Sequence, residues 1–187
     1  FQFISRSDYQ KKEQPDFLNN LLDKFDNPYI IPEGGTNILA IKGCEEILTL
    51  EDSKFNYIAC AVGTGGTISG IINASKKSQK ILGFPALKGD FLKDAIRIFV
   101  QNDNWELITD YHFGGYGKVS EELIIFMNEF SKQKQFLLDP IYTAKLTFGV
   151  FDLIKNNYFP HNSKILLIHT GGIQGIDGMN LTLEKKN

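Results

Sequence analysis

The chain has 187 residues, 42% of them hydrophobic, with 20 basic and 22 acidic side chains and a net charge of -2. That length allows one sizeable core with room for a second small lobe. The near-balanced charge gives no basic field to draw the chain to nucleic acid or to an anionic membrane, so a small, neutral ligand fits better.

Residues 1–4 alternate apolar and polar as a strand does, and Pro15 opens a helix with Phe17, Leu18, Leu21, Leu22 and Phe25 at helical spacing, ended by Asn27-Pro28. Tyr29-Ile30-Ile31-Pro32 reads as a short strand. Glu33-Gly34-Gly35-Thr36-Asn37 reads as a turn whose polar residues cap a helix carrying Ile38, Leu39, Ile41, Ile47 and Leu48. Tyr57-Ile58-Ala59-Cys60-Ala61-Val62 is a continuous apolar run, as expected of a parallel strand buried on both faces. A helix then begins near Thr67, followed by a strand over 80–84, a helix over 91–100 and a strand over 105–110. This βαβα alternation predicts a parallel sheet. Two amphipathic helices, 120–132 and 141–156, lead to Lys164-Ile165-Leu166-Leu167-Ile168-His169-Thr170, a further buried strand stopped by Gly171-Gly172. A short polar tail after Leu183 ends at Asn187.

No apolar run reaches the roughly 20 residues that cross a bilayer, and Phe1-Gln2-Phe3-Ile4-Ser5-Arg6 lacks the basic start and long apolar stretch of a secretory signal. A soluble, cytoplasmic protein is expected, and the start without Met points to a missing front segment. Cys44 and Cys60 have neither Cys-x-x-Cys nor zinc spacing, so both read as buried, reduced packing residues in a helix and a strand. His112, His161 and His169 share no ligand spacing; no metal is expected, and His169 reads as a hydrogen-bonded structural residue. No Gly-x-Ser-x-Gly elbow supports a hydrolase triad.

The chemistry-bearing feature is Gly63-Thr64-Gly65-Gly66-Thr67, which follows the buried strand and opens a helix. There it sets backbone amides and two hydroxyls at the positive end of a helix dipole, an anion site in which glycines leave the backbone accessible. It has no Gly-Lys-Ser/Thr ending, and Ile68 breaks a dinucleotide pattern. A tight strand-to-helix turn is the plain alternative.

Taken in order, Pro32-Glu33-Gly34-Gly35-Thr36-Asn37, Gly63-Thr64-Gly65-Gly66-Thr67, Leu138-Asp139-Pro140-Ile141-Tyr142-Thr143 and Ile168-His169-Thr170-Gly171-Gly172 resemble the 1-aminocyclopropane-1-carboxylate deaminase and D-cysteine desulfhydrase family. That family belongs to the tryptophan-synthase-β-like, fold type II pyridoxal-phosphate (PLP) enzymes, and the likeness spans essentially the whole chain. It implies an α/β fold with a mainly parallel sheet and helices on both faces, incomplete at the N-terminus. Residues 1–34 would be the end of a smaller domain and 35–187 the C-terminal part of the PLP-binding domain. The resemblance also implies that Gly63, Thr64, Gly65, Gly66 and Thr67 hold the PLP phosphate, that Tyr142 lies against the pyridine ring, and that Tyr116, in Gly115-Tyr116-Gly117, approaches the substrate side. Thr170, at a strand end, offers a hydroxyl to the pyridine nitrogen without protonating it. Packing tyrosines and a strand-terminating threonine remain the plain alternatives.

Next to the tyrosine matching Tyr142, the ring-opening deaminases resemble one another in carrying a Glu, where this chain has Thr143. A carboxylate beside the pyridine nitrogen favours a protonated ring, whereas the hydroxyls of Thr143 and Thr170 leave it near neutral. The expected reaction is therefore β-elimination from D-cysteine or a related small amino acid, giving ammonia, sulfide and a 2-oxo acid. Tyr116, Tyr142 and Thr143 are its catalytic candidates, and 1-aminocyclopropane-1-carboxylate is the alternative substrate. The family's Schiff-base lysine, in an Asn-Lys segment, and its Ser-Asn-His segment do not occur here. Lys42, Lys54, Lys88 and Lys145 lie in neither context and read as solvated or snorkelling side chains. Without that amine the chain alone is not expected to turn over substrate, which leaves a non-catalytic phosphate-binding fragment as a further alternative. A homodimer is implied by the resemblance alone.

Overall fold

The computed structural model describes residues 1–184; residues 185–187, where the polar tail ends, lie outside the described residues. The chain divides into two compact units between Gly35 and Thr36. The first holds α1 (Arg6–Tyr9) and α2 (Pro15–Lys24). Pro15 opens α2 as expected, because its fixed φ suits the first helical position, where a missing N–H costs nothing. Residues 1–4 and 29–32 are not strands. Their apolar patterns were read as β, but no described strand pairs with either, and a strand exists only where a neighbour takes its N–H and C=O groups.

The second unit begins with α3 (Ile38–Cys44), whose N-cap Asn37 accepts a 2.9 Å hydrogen bond from the Ala40 amide. After Cys44 the chain tightens into a 3-10 turn, Glu45–Ile47, so the helix stops short of Leu48. There follow β1 (Tyr57–Val62), α4 (Gly66–Ala74), β2 (Lys80–Pro85), α5 (Phe91–Arg97), β3 (Trp105–Leu107), α6 (Glu121–Lys134), α7 (Thr143–Lys155), β4 (Ile165–Ile168) and α8 (Gly175–Glu184). The four strands form one sheet in the order β3-β2-β1-β4, every neighbouring pair parallel.

β1 is an inner strand, and its alternate side chains feed two cores. Ile58, Cys60 and Val62 pack with Ile68, Ile71 and Ile72 of α4 and with Leu92 and Ile96 of α5. Ala59 and Ala61 face the other way, with Leu82, Phe84 and Leu146 and Val150 of α7. Helices thus cover both faces, as a parallel sheet requires. β4 departs from expectation: it is half-buried, because β1 is its only partner among the described strands. Helix α8 has no counterpart in the sequence reading, since Gly175 and Gly178 weaken its helical signal. Cys60 is buried, which pushes its thiol up to about 12, whereas Cys44 is only half-buried. No helix among the described residues is long and apolar enough to cross a membrane.

Gly70 sets the distance between α3 and α4. A Cβ there would lie 2.5 Å from Cys44 Cβ and 2.7 Å from the Ile41 carbonyl oxygen, and the latter is backbone that cannot rotate away. Gly70→Ala is therefore expected to destabilise the chain by about 1–3 kcal/mol through overpacking, despite alanine's better helix propensity. Calorimetry should show Tm falling by roughly 3–10 °C.

Candidate cofactor site

Because β1 lies inside the sheet, its C-terminal end opens between two neighbouring strands, and the loop 63–67 sits at that opening. Gly65 is the N-cap of α4 at φ +96°, a left-handed conformation that glycine adopts without strain. No side chain caps this helix, so its first-turn amides and the positive end of its dipole face the loop.

Space restricts the loop as much as conformation does. A Cβ on Gly63 would lie 3.3 Å from Cε1 and from the phenol oxygen of Tyr142, and one on Gly66 would lie 2.8 Å from Thr36 Oγ1. Thr36 Oγ1 and Thr64 Oγ1 share a 2.6 Å hydrogen bond. Thr36 thereby joins the site, although the sequence reading gave it only a place in a capping turn. Its sole signal was its position in the 32–37 segment, since nothing local shows that this turn meets a loop 28 residues later.

Tyr142 is held by the start of α7. Asp139 is buried, and its Oδ1 accepts from the Ile141 and Tyr142 amides, both at 2.9 Å. Its Oδ2 accepts from the Thr143 amide at 2.8 Å and from the Thr143 hydroxyl at 2.7 Å, while Thr143 Oγ1 accepts from the Asp139 amide at 2.9 Å. Thr143 is 1% exposed and gives its hydroxyl proton to Asp139, so the hydroxyl is engaged at the helix start.

The other candidates converge on the same edge of the sheet. The Tyr116 and Tyr142 rings meet edge to face with centroids 6.1 Å apart, and Tyr116 is 57% exposed. The pairing of Cys60 with Ile168 sets Thr170, which is exposed, at the strand end that carries the loop. A Cβ on Gly172 would lie 3.1 Å from Asp139 Cγ, so the turn after β4 packs against the α7 start. His169 is hydrogen-bonded as expected, its Nδ1 accepting from the Gly171 amide at 3.2 Å.

Lys145 overturns its sequence reading. It is 1% exposed, and its ammonium donates to the His112 carbonyl at 2.9 Å and to the Gly115 carbonyl at 2.8 Å. Burial pushes its pKa down to about 8, with the Asp139 charge pulling weakly the other way. A lysine on an amphipathic helix signals a solvated face, and only the tertiary fold shows that this turn faces carbonyls.

The loop thus presents bare backbone, hydroxyls and a helix N-terminus where an anionic phosphate fits, with aromatic rings alongside. The family model for pyridoxal-phosphate dependent enzymes matches residues 5–171, and the chain belongs to that family, whose cofactor is PLP. Its relatives narrow the class further. A putative 1-aminocyclopropane-1-carboxylate deaminase of Pyrococcus horikoshii is 32% identical over 165 residues, covering 79% of this chain and 50% of that protein. A bifunctional D-cysteine desulfhydrase/1-aminocyclopropane-1-carboxylate deaminase of Arabidopsis thaliana, described as mitochondrial, is 29% identical over 198 residues, covering 92% of this chain and 49% of that protein. The crystal structure of an ACC deaminase homologue matches with a TM-score of 0.81 at 27% identity, over 98% of this chain and 61% of that one. A processed threonine deaminase isoform from Solanum lycopersicum shares the fold at a TM-score of 0.50 and 14% identity, over 89% of this chain and 52% of that one. The four-stranded parallel sheet with helices on both faces is that of the fold type II PLP enzymes. The chain spans about half the length of the curated relatives it matches.

Two outcomes follow from the buried charges. Asp139→Ala is expected to cost about 2–4 kcal/mol in urea unfolding, because three amides and a buried hydroxyl lose their acceptor. For Lys145 the folded amine loses its proton from about pH 8, while the unfolded one keeps it to its ordinary 10.5. The unfolded state therefore binds more protons in that window, and stability rises with pH. Unfolding curves should show the chain gaining about 1–3 kcal/mol relative to Lys145→Met across that window.

Proposed function

We propose that this chain supplies the phosphate-holding half of the site in a PLP-dependent lyase or deaminase of small amino acids. The observation that carries the reading is the contact between the Tyr142 phenol and the start of the 63–67 loop, with Tyr116 against the same ring. One element binds an anion and two aromatics flank the space beside it, which is what a phosphorylated, planar cofactor needs. Gly63, Thr64, Gly65, Gly66 and Thr67 hold the phosphate through amides and hydroxyls. Tyr142 lies against the pyridine ring, Thr170 meets its nitrogen, and Tyr116 borders the substrate. Residues 1–34 form the end of a smaller domain and 35–187 the bulk of the PLP-binding domain.

When bound, PLP supplies an electron sink that weakens bonds to the substrate α-carbon. The branch of chemistry is set by what meets the ring nitrogen. Residue 143 brings no carboxylate, and its hydroxyl is held by Asp139, which leaves the Thr170 hydroxyl and a near-neutral ring. D-cysteine-type β-elimination, releasing ammonia, sulfide and a 2-oxo acid, is the reading this supports. Opening of 1-aminocyclopropane-1-carboxylate is the second, supported by the names of several relatives. Lys145 is committed to two carbonyls, so the chain alone binds phosphate without the amine that chemistry requires. A cytoplasmic location belongs to the same proposal, as does a homodimeric state, which rests on the family resemblance alone.

Titration of the chain with PLP should raise Tm in proportion to the logarithm of ligand concentration. Thr64→Ala and Thr67→Ala should each weaken that binding about tenfold, the worth of one hydrogen bond to a charged group. Borohydride treatment of the mixture should label no single lysine stoichiometrically. Unchanged affinity in both threonine variants would sink the phosphate assignment, and a stoichiometrically labelled lysine would sink the division of labour.

A further inference from the structure

We infer that Lys145 is a positioning residue: it fastens the turn over residues 112–117 to α7 and so holds Tyr116 against Tyr142. The inference rests on the reading of those two tyrosines as the walls of the cofactor space. Its geometry stands independently of that reading.

The turn is unusual in its backbone. Phe113, Gly114, Gly115 and Gly117 all have positive φ, at 51°, 90°, 111° and 65°. The Gly115 and Lys118 amides donate to the His112 and Gly115 carbonyls and the Gly114 amide to His112 Nδ1, but a non-glycine residue at φ 51° is tolerated only where its wider surroundings over-determine it. The run turns two carbonyls, those of His112 and Gly115, toward one point, and the Lys145 ammonium occupies that point at 2.9 and 2.8 Å. Gly115 is buried and the next residue, Tyr116, is exposed, so the clasp closes directly beneath the side chain that reaches Tyr142.

The remaining contacts come from the same face of α7. Phe148 meets Phe113 edge to face with centroids 5.0 Å apart, and Asp152 accepts a 2.8 Å hydrogen bond from the Tyr111 hydroxyl. Positions 145, 148 and 152 are spaced by three and four, so they form one stripe along the helix. α7 therefore carries Tyr142 at its N-cap and holds the Tyr116 turn against its flank, so one helix supports both rings. A neutral side chain would pack there without desolvating a charge. Burial of Lys145 lowers its pKa, the physical cost of placing an amine where its protons meet two carbonyls.

Hydrogen exchange on the ligand-free 187-residue chain tests the clasp. In Lys145→Met, the Gly115 and Lys118 amides, which bond to the His112 and Gly115 carbonyls, should exchange at least tenfold faster relative to β1 amides than in the parent. Lys145→Gln, which keeps donors, should recover most of that ratio and serves if the Met variant does not fold. A loop-to-strand ratio unchanged in both variants overturns the inference. A second readout separates positioning from general support. Lys145→Met should weaken PLP binding severalfold in the parent and not in a Tyr116→Ala background; equal losses in both overturn it. If the ratio responds but Thr64→Ala and Thr67→Ala leave PLP binding intact, the clasp stands and the cofactor reading falls.

Discussion

The buried Asp139 carboxylate is the interaction on which the site depends. Both oxygens are filled by donors from the next four residues, which ends the preceding loop and starts α7 at Thr143. A buried carboxylate is costly unless every lone pair is used, and here the orphan amides of a helix N-terminus use them. Because Tyr142 sits inside that hydrogen-bonded turn, its ring direction follows from Asp139. Gly172 closes on the same carboxylate, tying the end of β4 to the start of α7. Two segments more than 30 residues apart in sequence thus share one anchor.

The sheet supplies the second constraint. An inner parallel strand must be apolar on both faces, and β1 sends Ile58, Cys60 and Val62 toward α4 and α5 and Tyr57 with two alanines toward the α7 side. The alanines let α7 approach closely, and Gly149 extends the fit: a Cβ there would lie 2.6 Å from Phe84. Close approach brings the α7 N-terminus to the strand's end, where the 63–67 loop begins. Tyr142 then reaches Gly63, and glycine loop and aromatic ring come together through packing.

The glycine loop and the flanking β1 and α4 were legible in sequence because each has a local signature, whereas Tyr116 and Tyr142 were singled out by the family resemblance alone. A continuous apolar run, a glycine cluster and a helical period all act over a few residues. The failures share a cause. Residues 1–4 and 29–32 had a strand's pattern without a partner strand among the described residues, and the alternation carries no information about partners. Thr36 was seen only as part of a capping turn, although its hydroxyl meets Thr64. Thr143 was read from its neighbour Tyr142, while its partner proved to be Asp139, four residues back.

By itself the sequence determined the α/β class, the place of the glycine loop after an inner strand, and the family to which the ordered motifs belong. Those depend on periodicity, glycine freedom and residue order, all written along the chain. Only the tertiary structure decided that β4 is an edge among the described strands, that the Thr143 hydroxyl bonds Asp139 at the helix start, and that Lys145 is buried beneath the Tyr116 turn. The last two are questions of which polar group meets which across 4 to 33 residues of chain, and the first of which strand pairs with which across 108. A lysine's side chain is the same in water and against two carbonyls; what differs is the packing that removes the water, and no local pattern encodes that.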